Sequence, residues 1–172
     1  MEKRSERTKT VALIGLMIAL SFTLSWLEHF LPLDLGVPGI KPGLANIVVV
    51  AALYTLPVQK ALPVALVRIM LAGLTFGNAF SLLYSLAGGL LSFSVMLLLK
   101  KTRLSPAGVS VAGGVSHNLG QFAVAAAVLK TRGLLYYLPV LLLAGLVAGL
   151  LVGLIASPVI KRLQSAGFGT SM

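Results

Sequence analysis

No cysteine occurs in this 172-residue chain, which excludes disulfides, thiolate nucleophiles and cysteine-held metal clusters. Carboxylates are nearly as scarce, since Glu2, Glu6, Glu28 and Asp34 are all there are. A single aspartate cannot form the clustered hard-oxygen site that holds magnesium against a diphosphate. Glu28 and Asp34 share one segment with no nucleophile motif around it, so no serine-histidine-acid set is formed. A glycine-rich phosphate loop ending in Gly-Lys-Ser/Thr is also missing, so any use of ATP falls to a partner. Charge of either sign is thin: 10% of residues are charged against 58% hydrophobic, and the mean hydropathy is +0.99. Such a chain has too little polar surface for a water-soluble domain and reads as a membrane protein. The net charge of +10 does not point to nucleic acid, because the basic residues lie between apolar runs rather than along one stripe.

What is present is a succession of apolar segments. A hydrocarbon core of about 30 Å takes roughly 20 residues per helix, so six crossings with short connections consume the chain. The expected spans are 11–27, 44–56, 61–76, 79–99, 107–129 and 134–160, separated by a long Pro- and Gly-rich loop at 28–43 and by turns at PVQK, Gly77–Asn78, KKTRLSP and KTRG. The fold class expected is an all-α integral membrane protein, a six-transmembrane-helix bundle. It divides into a basic N-terminus (1–10), one transmembrane domain (11–160) and a tail (161–172). The basic start followed by an apolar run resembles a signal peptide, but no small-x-small cleavage site follows, so it is read as a retained first helix. With the N-terminus inside, ten Lys and Arg fall on the cytoplasmic side and three, Lys41, Lys130 and Arg132, outside; Arg68 completes the fourteen. That asymmetry places both termini in the cytoplasm. The first and last three spans show no evident repeat, which weighs against a self-sufficient inverted-repeat carrier.

Small residues recur at helical spacing, as in Gly145, Gly149 and Gly153 of the sixth span, which suits close helix packing in lipid. Gly15 and Ala19 repeat the pattern on the first span, where the alternative is docking to another membrane subunit. Arg68 sits in the middle of the third span, where a cation costs about 2.5–3.5 kcal/mol on insertion scales and needs compensation. Its possible carboxylate partners are Glu28 and Asp34; otherwise it faces backbone carbonyls or a bound anion. In SVAGGVSHNLGQFAV, His117 and Gln121 share a helix face and Asn118 lies on the adjoining strip. These three either bond neighbouring helices together or line a cavity. On the expected topology Asn46, Asn78, Ser81, Tyr84 and Ser85 lie toward the outer ends of their spans and join Arg68 and the trio around an outward-facing pocket, rimmed by Lys41, Tyr136 and Tyr137.

The stretches PGIKPGLANIVVVAALY, FGNAFSLLYSLAGGLLS, SVAGGVSHNLGQFAVAA and YYLPVLLLAGLVAGLLVGL resemble the bacterial Gx transporter family, whose members are often labelled heptaprenyl diphosphate synthase component I. The resemblance runs from about residue 39 to residue 154. It implies similarity to the substrate-binding S components of energy-coupling factor transporters: a six-helix fold that captures a solute from outside and works with a transmembrane T component and two ATPases. S components dock through an alanine-x-x-x-alanine pattern on the first helix. Here Ala12 is followed by Leu16, and Gly15 with Ala19 is the nearest equivalent. The expected function is a non-enzymatic solute-binding subunit in the bacterial cytoplasmic membrane, taking an anionic vitamin-like or prenyl-related metabolite and needing no metal or cofactor. In that reading Arg68 balances the anionic group and His117, Asn118 and Gln121 hydrogen-bond the solute. The alternatives are a noncatalytic component of heptaprenyl diphosphate or quinone synthesis, and a standalone secondary carrier.

Overall fold

The protein is described from a computed structural model covering residues 2–30 and 43–169. Among these residues there are six α-helices and no strand: α1 (Glu2–Phe30), α2 (Leu44–Thr55), α3 (Val58–Phe76), α4 (Ala79–Leu99), α5 (Pro106–Leu129) and α6 (Leu138–Ser165), with a 3-10 segment at Arg132–Tyr137 before α6. The local signals that start and stop these helices are readable residue by residue. Asn78 and Ser81 form a reciprocal capping box: the Asn78 side chain accepts from the Ser81 N–H at 2.9 Å, and the Ser81 hydroxyl accepts from the Asn78 N–H at 2.8 Å. Ser105 accepts from the Gly108 N–H at 3.2 Å with Pro106 in the first turn. Lys130, in the left-handed region at φ 50°, ends α5.

The PVQK stretch, expected as a four-residue turn, is shorter than that: Pro57 is the N-cap and α3 already begins at Val58. This tight α2–α3 corner creates a specific problem. The carbonyl of Leu53 would normally accept from the residue four positions on, but that residue is Pro57, which has no N–H. Lys100, at the end of α4, supplies the donor instead, its Nζ lying 2.7 Å from the Leu53 oxygen and 5.4 Å from the centre of the Tyr54 ring. A residue 47 positions away thus completes the end of α2.

The helices pack as a closed cycle in which α1 touches α3, α3 touches α4, α4 touches α5, α5 touches α6, α6 touches α2 and α2 returns to α1. Backbones come closest where glycines meet. A Cβ at Gly149 on α6 would lie 2.7 Å from the Ser110 carbonyl oxygen and 2.8 Å from Val111 Cα on α5, so only a hydrogen fits there. The apolar core gathers around α2, whose residues Val48 to Leu53 are all buried, together with Val64, Phe93, Val109, Val152 and Ala156. Helix α2 has only 12 residues, about 18 Å of rise. Being enclosed by its neighbours, it does not have to match a bilayer by itself.

Four helical segments are long and apolar enough to cross a membrane: Arg7–Phe30, Val58–Phe76, Ala79–Leu99 and Gly133–Ser165. The remaining two helices of the expected six spans are the short α2 and the glycine-rich, polar-bearing α5. Large aliphatic side chains cover the outward faces, including Val11, Leu16, Leu90, Leu98, Leu143, Val147 and Leu154. An apolar exterior of this extent is suited to lipid.

Candidate functional site

One end of the bundle is solid and the other is hollow. The hollow is a cavity of about 660 Å³ lined from all six helices. Its mouth is formed by the C-terminal parts of α1, α3 and α5 and the N-terminal parts of α2, α4 and α6, at the end opposite Lys60, Lys100 and Lys161, and it reaches inward as far as Ser92 and Met96 of α4 and Ser110 of α5. The void exists because the residues around it are small or polar rather than branched aliphatic: Ser85, Gly113, Gly114, Ala144 and Gly145 stand where Val and Leu fill the solid half.

Arg68 reaches this space from α3, eight residues before the helix ends, about 12 Å along the axis. Its Nε is buried and has no hydrogen-bond partner. The Glu28 carboxylate of α1 acts on it through space, and Arg68 in turn acts on the His117 ring of α5. Of the two carboxylates considered as partners for Arg68, Glu28 is therefore the one at the site, and Asp34 lies outside the described residues. Glu28 is itself held in place, because its Oε1 accepts the backbone N–H of Gly43 at the start of α2. Gly43 adopts φ 76°, ψ 31°, a left-handed conformation that glycine enters without penalty.

His117 and Gln121 lie against Gly88 of α4. A Cβ on Gly88 would sit 3.2 Å from His117 Cε1 and 2.9 Å from Gln121 Cγ. The missing side chain on α4 is thus what admits the two polar side chains of α5. Asn118, one position along, turns to α6 and donates from Nδ2 to the Leu141 carbonyl at 2.6 Å. Its amide NH2 serves as a bond between helices while the residue still lines the cavity.

The residues singled out in the sequence are distributed as follows. Arg68, His117, Asn118, Gln121, Asn46, Asn78, Ser81, Tyr84 and Ser85 all line this one cavity. Asn78 and Ser81 are mutually bonded in the capping box at its rim. Lys41 lies outside the described residues. Of the two tyrosines expected at the rim, Tyr137 lines the cavity, whereas Tyr136 is 89% exposed and faces away. The reason is local: the 3-10 segment at Arg132–Tyr137 directs successive side chains apart. Ala12, Gly15 and Ala19 lie on the outer surface of α1, and a Cβ on Gly15 would meet nothing within 4 Å.

Sequence reasoning missed the aromatic and hydroxyl contributions of α1 and α3. Phe76 stacks between Phe22 and His29, with ring centres 5.8 and 4.8 Å away, and Ser25, His29 and Phe76 line the mouth. The available signal was the three- and four-residue spacing of Phe22, Ser25 and His29, one face of a helix that continues past the expected end at residue 27.

Residues 17–159 match the family model described as heptaprenyl diphosphate synthase component I. The chain belongs to that family. The match extends from the middle of α1 into α6 and so takes in helices from every wall of the cavity. No curated protein and no solved structure matches the chain. The family description names a component of a synthase, and among the described residues of this member no three His, Asp or Glu side chains come together.

Proposed function

We propose that this family member is a non-enzymatic solute-binding subunit of a small-molecule uptake system, of the S-component type, embedded in the bacterial cytoplasmic membrane. Its six helices all cross the bilayer in this reading, with both termini cytoplasmic. The solute enters from the outer face and carries an anionic group that Arg68 meets, while His117, Gln121 and the Asn118 carbonyl oxygen orient the remainder. A transmembrane T component and ATPase subunits are the expected partners, with the α1 face containing Ala12, Gly15 and Ala19 as the docking surface.

The observation that carries the proposal is the Arg68 Nε, buried without a partner beside a cavity large enough for a metabolite. An arginine at membrane depth is expensive, and one with a donor left free beside a cavity is suited to receive an anionic group. Support for the orientation comes from the Lys and Arg distribution, since the cavity opens at the end poor in these residues. The test is a thermal-shift screen of the purified protein against vitamins and prenyl metabolites, repeated with Arg68→Gln. A solute that raises the parent's midpoint and leaves the variant's unchanged supports the reading; a screen without any Arg68-dependent response removes it. Uptake in proteoliposomes with and without ATPase partners separates a subunit from a standalone carrier.

A second reading is favoured by the family description itself: a noncatalytic membrane component associated with heptaprenyl diphosphate or quinone synthesis. It predicts that deletion of the protein shortens or depletes the prenyl chain of the cell's quinone. Unaltered quinone content in the deletion strain counts against it.

A further inference from the structure

The charge on the cavity wall is balanced among the described residues. Among its described lining residues, Arg68 is the only Lys or Arg and Glu28 the only Asp or Glu. The two interact through space, yet the Arg68 Nε has no hydrogen-bond partner, and one oxygen of the Glu28 carboxylate accepts the Gly43 N–H. They are thus two opposite charges on different helices, Glu28 tethered to Gly43, rather than a closed ion pair. The Gly43 bond matters here because it keeps Glu28 at the wall when a solute arrives, so the carboxylate remains part of what the solute meets.

A simple anion entering such a site gains Arg68 but is placed in a weakly screened space beside Glu28. A diphosphate fares worse, since one guanidinium faces several negative charges with a carboxylate nearby. A solute with one group of each sign meets both poles at once. We infer that the cavity selects a zwitterionic solute, its anionic group set against Arg68 and its cationic group against Glu28, and that it discriminates against polyanions. This inference rests on the solute-binding reading and narrows its substrate class; Glu28 becomes a specificity-determining residue.

Four probes of matched size or charge test it on the full-length protein in detergent: 4-(aminomethyl)benzoate, benzoate, benzylamine and inorganic diphosphate. The zwitterion is expected to raise the unfolding temperature at a concentration roughly tenfold below that required of benzoate or benzylamine, because only it avoids a like-charge contact. Diphosphate gives no shift. Glu28→Gln retains an oxygen to accept the Gly43 N–H, so the fold is kept while the pole is lost; in that variant the zwitterion falls to the level of benzoate. Arg68→Gln abolishes the response to both. Benzoate or diphosphate matching the zwitterion in the parent, a preference that survives Glu28→Gln, or silence of all four probes at about 10 mM overturns the inference. Benzoate binding that needs Arg68 and ignores Glu28 overturns it while leaving the solute-binding reading intact, whereas failure of the wider metabolite screen removes that reading itself.

Discussion

Asn118 of α5 donates to the Leu141 carbonyl of α6 at 2.6 Å, across the wall of the cavity that both helices line. The bond divides the polar trio of α5 by role. Asn118 joins α5 to α6 through its amide nitrogen and His117 bonds the Gly88 backbone of α4, while Gln121 fills the space opposite Gly88 without a bond of that kind among the described residues. Asn118→Ala is expected to lower stability by about 0.5–2 kcal/mol, the range of interhelical hydrogen bonds in lipid. Gln121→Ala should leave the unfolding midpoint nearly unchanged. Equal destabilisation by the two variants, measured by thermal unfolding in the same detergent, would contradict this division.

Lys100 serves a carbonyl that proline leaves without a partner. Replacing it by methionine keeps most of the apolar stem and removes the ammonium, so the Leu53 oxygen loses that donor. A buried acceptor deprived of its partner costs about 1–3 kcal/mol. Lys100→Met should therefore destabilise the protein, whereas methionine at the exposed Lys101 should not. Comparison of the two unfolding midpoints decides the matter.

The α5–α6 contact depends on Gly149. A valine there would place its Cβ against the Ser110 carbonyl and the Val111 backbone, which have no flexible end to move aside. Forcing the helices apart is expected to cost about 1–3 kcal/mol and to lower the yield of folded protein. Gly15→Val, on the open face of α1, should be tolerated in the isolated protein. A folded yield for Gly149→Val equal to that of Gly15→Val would show that the close approach is not required.

Asn78 caps α4 at the mouth of the cavity. Asn78→Ala breaks the acceptor half of the capping box and should cost about 1 kcal/mol, felt first as faster hydrogen exchange at Ser81 and Leu82. Asn78→Asp preserves the acceptor and should retain the parent's exchange rates. Loss of protection in both variants would mean that the cap is not what fixes this end of the helix.

Much of the helical layout was legible from apolar run length and turn residues. The expected segment 79–99 coincides with α4, and 44–56 and 107–129 each differ from α2 and α5 by one residue at one end. The larger differences occur where no apolar signal operates. Helix α1 begins at Glu2 and reaches Phe30 through polar residues, and α6 starts only at Leu138 because a 3-10 segment precedes it. Hydropathy marks what is greasy, and a helix that extends into water is held by its own backbone bonds, which hydropathy does not register.

The sequence by itself determined that this chain is helical and apolar outside, where it bends, and which few side chains are too polar to be left in lipid. Composition and spacing decide those properties, because each depends on one residue and its neighbours along the chain. That nine of those side chains surround one hollow, that Glu28 lines it together with Arg68, that Tyr136 turns away, and that Lys100 completes a helix end 47 positions earlier were decided by tertiary structure alone. These are relationships between helices, set by how each rotates about its axis and how closely glycines let it approach. No single segment carries that information.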